Sequence, residues 1–483
     1  MEILRHECGV AVVRLRGAKA QSDADYGLRL VRKLMELQHN RGQEAAGLGS
    51  VAPGQGVWIE KAPGFNAISE IFSRVEKMRR EARLDGEIPL PFSGPCLMGH
   101  LRYSTFGRAG VEHAHPYFHC GSGDGESLML CGNFNLVNTV EIFGLDPSEP
   151  SRRMRPSDTS LLLGRLAEDM EREPGLDIAD ILRREAPTWR GGYVLAGITG
   201  RGVTWVVRDP HGIRPAYWYA DDEVVTAASE RVAISQALGI HIDSVRELPR
   251  GACLVIDEDG GVRLEQVMPP GRERQCSFER IYFSSASDPA IYEERKALGR
   301  ALAPAVLRTL GGDAGRAVFT YVPTTAEPAF RGLVEEMERL TGREVHHSSL
   351  LAKQTLQRTF IEEEGVREVL ARDAYGLTGA CPREGEDTIV VVDDSIVRGT
   401  TLPVITELLG RLGSYRVIFV SSAPPVLYPD RYGIDMPTAD ELFARRPEGA
   451  AEAGVTIIYQ ELADLKRVLG PRYGYWYFDG EYP

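Results

Sequence analysis

Two patterns of apolar and polar positions divide the chain. From Cys8 to about Val255, short β-branched and aromatic runs recur, among them CGVAVVRL, CLMGHLRY, SLMLCGNFNL, GGYVLAGITG and GVTWVVRD, with Gly, Pro and Asp between them. Such runs bounded by turn formers predict strands. Two amphipathic stretches, Asp25 to Leu37 and Thr159 to Met170, repeat their apolar positions at the helical period and predict helices. This is a layered α+β texture. After a polar, Pro/Gly-bearing stretch near Met268 to Arg274, the pattern changes to strands alternating with longer helices. Strands are predicted at Ala317 to Val322, Thr388 to Val392 and Arg416 to Ser421, and helices at Tyr292 to Leu310, Ala329 to Leu340 and Leu402 to Leu412. That alternation predicts a mainly parallel α/β sheet.

Composition narrows the partners. A chain of 483 residues with 43% hydrophobic and 26% charged positions has ample material for the cores of two large domains or about three smaller ones. Its 56 basic and 69 acidic residues leave a net charge of −13, the wrong sign for a nucleic-acid partner. An anionic small substrate stays open, provided cations are concentrated locally. The 7 cysteines lack paired or C-x-x-C spacing, which predicts a reducing cytoplasm rather than a disulfide or zinc framework. The leader MEILRHE is too polar for a secretory signal, and no run of about 18 apolar residues follows, so no membrane is expected.

The strongest local signal is TIVVVDDSIVRGTT, Thr388 to Thr401. An apolar β-branched run ends in Asp393 and Asp394, then passes through a small-residue loop into a helix with Pro403 in its first turn. Loop N–H groups, the hydroxyls of Ser395, Thr400 and Thr401, and a positive helix terminus suit a phosphate. The paired Asp suit ribose hydroxyls or Mg²⁺-bound water. Capping is the plain alternative for one Asp, and a weak one for two followed by RGTT.

At the other end, HECGVAVV sets Cys8 between a short polar leader and a strand. Removal of the leader frees an α-amino group with a pKa near ~8 beside its own thiol, the arrangement of N-terminal nucleophiles. A structural buried thiol is the plain alternative. LQHNRGQEAAG supplies Arg41, GHLRYSTFG supplies Arg102, CGNFNLVN supplies Asn133, and PSDT supplies Asp158. Zwitterionic glutamine needs a cation for its carboxylate and an anion for its ammonium, which Arg102 and Asp158 fit. The Asn133 amide fits the oxyanion formed when Cys8 attacks the amide carbonyl.

Together these motifs resemble the amidophosphoribosyltransferases (glutamine phosphoribosylpyrophosphate amidotransferases), from Cys8 to the C-terminus. RDPHGIRP, FERIYF, YGIDMPTADEL and FDGEYP also match that family's patterns. The resemblance implies a propeptide over 1–7, an αββα N-terminal-nucleophile (class II) glutaminase domain over 8–250 and a type I phosphoribosyltransferase domain over 251–483. Cys8 is then the nucleophile, Asn133 and the Phe134 N–H the oxyanion hole, and Arg41, Arg102 and Asp158 the glutamine site. Phosphoribosylpyrophosphate falls to Asp393, Asp394, Ser395, Ile396, Val397, Arg398, Gly399, Thr400 and Thr401, with Lys353 and Arg358 from a mobile loop. Thr325, Asp393 and Asp394 would serve Mg²⁺. Ammonia from glutamine would displace pyrophosphate at C1 to give 5-phosphoribosylamine, which begins purine synthesis. A homo-oligomer, dimer or tetramer, and purine nucleotides as inhibitors are implied by the family alone.

Cys276 matches one cluster-ligand position of some members, whereas YPDRYGID and YFDGEYP lack Cys at the others. No iron–sulfur cluster is expected, as in the cluster-free branch. The chain departs from the family pattern at Phe134, where Gly is usual, at the inserted Asn40, at Ser160, at SSASD (Ser284 to Asp288) and at Glu362 to Glu364. Those departures motivate the alternative, a divergent paralogue with a regulatory or nucleotide-binding role, or an amidotransferase with another acceptor or donor.

Overall fold

The computed structural model describes residues 8–86, 90–103, 111–144, 157–353, 375–378, 387–433, 438–446 and 454–483. The leader 1–7, Arg358 and Glu362 to Glu364 lie outside the described residues, and only the backbone of Lys353 falls within them.

In the first compact unit the strands are β1 (Gly9–Leu15), β2 (Ala45–Ala52), β3 (Gly56–Pro63), β4 (Cys96–Arg102), β5 (Tyr117–His119), β6 (Leu128–Leu136) and β7 (Gly191–Thr199). They continue with β8 (Thr204–Arg208), β9 (Tyr217–Ala220), β10 (Val224–Ala228), β11 (Arg246–Glu247), β12 (Ala252–Ile256) and β13 (Val262–Gln266). One antiparallel sheet has the order β11-β9-β10-β1-β4-β2-β3, the other β13-β12-β8-β7-β6-β5. The two-residue period of a strand explains how they stack. Ala11, Val13 and Leu15 of β1 face the helices Ala24–Leu37 and Ala67–Asp85. Val10 and Val12 point the other way and meet Met129 and Cys131 of β6 in a layer between the sheets. From β6, Leu128, Leu130, Phe134 and Leu136 pack outward on the helices Asp158–Arg172 and Ile178–Glu185. The layered α+β texture therefore takes the αββα form that the resemblance implies. Two expected helices become more, because Ala67–Asp85 carries only a narrow apolar stripe, Ile68, Ile71, Phe72 and Val75, on a charged background.

The chain divides by its contacts after Gln275 rather than at residue 250. The hairpin of β12 and β13 extends the six-stranded sheet, with Val255 opposite Trp205. The Pro/Gly stretch at Met268 to Arg274 is the boundary signal, and it precedes the division directly.

The second unit has a five-stranded parallel sheet in the order His346–His347, Ala317–Tyr321, Thr388–Asp393, Arg416–Ser421, Thr456–Tyr459. Both faces of the Thr388–Asp393 strand are covered. Val390 and Val392 pack with the helices Pro289–Thr309 and Glu327–Thr341, and Ile389 and Val391 with the helix Thr401–Gly410. Burial on both sides explains the unbroken apolar run at 389–392. No helix among the described residues is long and apolar enough to cross a membrane.

Candidate active site

Cys8 directly precedes β1 and is buried, its Sγ facing the Tyr103 carbonyl at 3.9 Å. It lies close enough to Cys131 of β6 that, after burial, Cys8 is the next cause holding the Cys131 thiol above the ordinary range. By the two-residue period Asn133 faces the same inter-sheet layer as Cys131. Asn133 is fully buried, and neither side-chain polar atom has a hydrogen-bond partner among the described residues. Leaving a buried amide unpaired costs about 1–3 kcal/mol, so an orphaned Asn points to a ligand that completes it.

The outer edge of β6 completes this arrangement. β5 pairs with β6 only at Leu128, Met129 and Leu130. Beyond them, the Gly132 N–H donates to His115 Nδ1 at 3.3 Å, and the Leu136 N–H donates to the Asp158 carboxylate. Tyr193, opposite Phe134 in β7, turns its own N–H and carbonyl away to Asp209. In an antiparallel ladder the residue opposite then also points outward, so the Phe134 N–H projects at this edge between those of Gly132 and Leu136. Phe134 does not need the freedom of a glycine here. Phe92 is the only non-glycine at positive φ among the described residues, and Phe134 sits in regular strand.

Charges of both signs lie around this edge. Arg102 ends β4 and is buried. Burial first, and then the Arg102 charge, lower Lys61 of β3 to about 8 and His100 of β4 to about 3. His100 is thus neutral near pH 7, and the cations here are Arg102 and Lys61, beside which an anion is a favourable guest. Asp158 opens the helix Asp158–Arg172, which Ser157 caps by accepting from the Ser160 N–H at 3.2 Å. Burial raises the Asp158 pKa to about 6, and the bond from Leu136 opposes the rise. Arg41 follows the helix Ala24–Leu37 in a short turn. It is wholly buried beside Gly9, and its guanidinium pairs with Glu230 at 3.2 Å, with Asn40 donating to the same carboxylate at 2.8 Å. Arg41 thus braces the start of β1 with its charge already matched. Lys61, His100 and His115 were not singled out from sequence. The only signal for the last two was their place within or just after GHLRYSTFG.

In the second unit, Asp393 ends its strand and Asp394 follows, both buried. The Asp394 N–H donates to Asp393 Oδ1 at 2.9 Å, and the hydroxyl of Ser395 donates to Asp394 Oδ1 at 3.1 Å. Burial, and then the charge of Asp394, hold the Asp393 carboxyl well above the ordinary range. Such a pair fits a divalent cation, whose charge is opposite to that of the carboxylates. Among the described residues no group of three or more His, Cys, Asp or Glu converges, so an ion here would take further oxygens from substrate and water. Thr325 lies in the turn between Ala317–Tyr321 and Glu327–Thr341, at the end of the neighbouring strand, where the Val322 N–H donates to the Val392 carbonyl at 2.9 Å.

The loop from Ser395 to Thr400 runs into the helix Thr401–Gly410. Ile396 is buried, Val397 accepts from the Phe443 N–H at 2.9 Å, and the Arg398 carbonyl accepts from Arg446 Nη2 at 2.6 Å. Gly399 has φ +78°, and a Cβ there would lie 2.2 Å from the Phe443 ring, so only glycine suits this bend. Cys276 is buried with its Sγ 3.1 Å from the Tyr477 hydroxyl.

Comparison with known proteins adds names to this geometry. The amidophosphoribosyltransferase of Haemophilus influenzae is 30% identical over 449 residues, 89% of this chain and 83% of the relative. That of Escherichia coli is 30% identical over 453 residues, 89% and 84% of the two chains. That of Bacillus subtilis is 29% identical over 484 residues, 97% and 91%. A solved structure of glutamine phosphoribosylpyrophosphate amidotransferase from Bacillus subtilis, complexed with ADP and GMP, matches with a TM-score of 0.75 at 27% identity. The match covers 99% of this chain and 97% of that one. No family model matches.

Proposed function

The chain belongs to the amidophosphoribosyltransferase family, and from that membership we propose that it hydrolyses glutamine at Cys8 and transfers the ammonia to C1 of phosphoribosylpyrophosphate. The buried Asn133 amide without a partner, beside an outward Phe134 N–H, is the observation that carries the first half. In this reading the Cys8 thiol passes its proton to the α-amino group freed when residues 1–7 are removed, and its sulfur attacks the glutamine amide carbon. Asn133 and the Phe134 N–H stabilise the oxyanion, the α-ammonium returns the proton to the amide nitrogen as the C–N bond breaks and ammonia leaves, and water cleaves the resulting thioester to glutamate and the thiol. Arg102 holds the substrate carboxylate and Asp158 its ammonium, while Arg41 supports Cys8 from behind.

In the second unit the N–H groups and hydroxyls of 395–401 hold the 5-phosphate, and Asp393 and Asp394 orient the ribose and a Mg²⁺ ion, with Thr325, Lys353 and Arg358 completing the set. Mg²⁺ would neutralise the charge that develops on departing pyrophosphate. Ammonia attacks C1 as pyrophosphate leaves with both electrons of the C1–O bond, giving 5-phosphoribosylamine. The reading carries with it a cytoplasmic homo-oligomer inhibited by purine nucleotides.

Purified protein given glutamine, phosphoribosylpyrophosphate and Mg²⁺ is expected to release glutamate and pyrophosphate in equal amounts. Neither product appearing from protein that lacks residues 1–7 would remove the proposal.

The Asp158 pKa gives a pH dependence of known sign. A carboxyl titrating at about 6 is mostly charged at pH 7 and loses its charge below that value. L-Glutamate has the same α-carboxylate and α-ammonium and does not turn over, so its Kd reports the site. That Kd is expected to be flat above about pH 7 and to rise towards tenfold per unit below about pH 6. Asp158→Asn should raise it at pH 7.5 and flatten the profile. Titration calorimetry in the two proteins makes the comparison.

A further inference from the structure

Gly132 is held on both of its outward backbone groups by imidazoles. Its N–H donates to His115 Nδ1 at 3.3 Å, and its carbonyl accepts from His100 Nε2 at 3.2 Å. The register that sets Tyr117 opposite Leu130 would, two residues on, set His115 opposite Gly132. The ring of His115 therefore takes a bond that a longer β5 would have made through its backbone. No side chain at 132 could secure this point, since a Cβ there would lie 2.7 Å from Leu195 Cδ2 and 2.8 Å from the Val194 carbonyl oxygen.

The second nitrogen of the ring reaches a different element. His115 Nε2 is 2.7 Å from Thr159 Oγ1, and both residues are buried. With Nδ1 accepting from a peptide N–H, the proton of the neutral ring sits on Nε2 and is donated to Thr159. Thr159 adjoins Asp158, and Gly132 adjoins Asn133. The ring is further confined by His100 at 4.2 Å and Phe134 at 6.1 Å between centroids.

We propose that His115 is a positioning residue for glutamine hydrolysis, a neutral imidazole strut that fixes the oxyanion donors of β6 against the ammonium-binding start of the Asp158–Arg172 helix. It rests on the glutaminase reading above and adds to it a residue that touches no substrate. Asn133 and Phe134 act on the reacting carbonyl, whereas Asp158 holds the far end of the same small molecule. Their separation must match one substrate in one pose, and misplacement by about 1 Å is enough to cost about 10²-fold in rate.

Three variants test the strut in glutamine-dependent turnover, with ammonia-dependent synthesis measured on the same preparations. His115→Phe keeps the ring and loses both bonds, and should lower kcat for glutamine hydrolysis by about 10- to 100-fold. His115→Gln can accept from Gly132 and donate to Thr159, and should recover turnover to within about fivefold of the parent. Thr159→Val severs only the link to the helix, so its defect should fall on KM for glutamine more than on kcat. Ammonia-dependent synthesis should stay level in all three. A His115→Phe protein with parental kcat, a loss that His115→Gln fails to recover, or an equal loss of ammonia-dependent synthesis overturns the strut. Cys8→Ala is run beside them. If it is dead with glutamine while His115→Phe is fully active, the strut alone fails, whereas a fully active Cys8→Ala protein overturns the glutaminase reading and the strut with it.

Discussion

Alanine in place of Cys8 is expected to abolish glutamine-dependent synthesis, by about 10⁴-fold or more, while ammonia-dependent synthesis persists near the parental rate. In the proposed reaction the thiol supplies the bond-forming atom of the first half-reaction. Cys131 on the facing strand is held protonated by burial and by Cys8 itself, so it is a poor substitute nucleophile. The fold should tolerate the change, because Cys8 contributes one small buried side chain, and its contact with the Tyr103 carbonyl is a long one at 3.9 Å. Ammonia supplied in the buffer bypasses this chemistry and needs only the carboxylates and loop of the parallel sheet. The variant is best expressed from position 8, so that the leader does not confuse the result. Loss of both activities together would contradict the division of labour. Intact mass of the parent protein is the companion measurement, because a retained leader leaves Cys8 with a peptide N–H instead of an α-amino base.

Much of the second site is legible in the sequence because its parts are contiguous. A strand buried on both faces must be apolar throughout, a loop proposed to close on a phosphate must be small, and the bend at Gly399 excludes a Cβ, so TIVVVDDSIVRGTT announces itself. The first site is spread over four strands and a helix, and only those of its residues with a chemical role in the expected reaction stood out. Lys61 occupies one position of the alternating strand GVWIEKAP, and nothing in that pattern separates a cation beside Arg102 from a solvated lysine. His115 acquires its role from the early end of β5, which is a property of the sheet rather than of any motif. The division by contacts falls after Gln275, just past the Pro/Gly stretch where the texture changes, whereas the boundary implied by the resemblance, at 250, falls before β12, whose Val255 lies opposite Trp205. The charge of Arg41 suggested substrate binding, and only the fold brings Glu230 to meet it across nearly 190 residues.

Replacing Asp393 should remove synthesis with either nitrogen source while leaving the fold no less stable, a combination that a merely structural acid would not give. Its carboxyl is raised by burial and by the like charge of Asp394. A folded-state pKa above the unfolded value means that the charged form is disfavoured in the native protein, so the group opposes folding increasingly as pH rises from the unfolded pKa of ~4 to the folded one. Asp393→Asn relieves that repulsion with little change of shape, and the Tm at pH 7.5 should stay level or rise. Activity is the opposite case. The paired acids sit where the strand's carboxyl end meets the loop that runs into the helix Thr401–Gly410, and the proposed reaction needs them to hold ribose and cation in line with the incoming ammonia. The rate is expected to fall by about 10²–10³-fold with glutamine and with ammonia alike. Thermal shift separates binding from folding: phosphoribosylpyrophosphate with Mg²⁺ should raise the Tm of the parent and scarcely move that of the variant. An Asp393→Asn protein that melts lower but keeps its turnover would make the carboxylate a structural group and leave Asp394 as the sole candidate. A site that is destabilising when empty and required when filled is the expected behaviour of carboxylates arranged for a cation that arrives with its substrate.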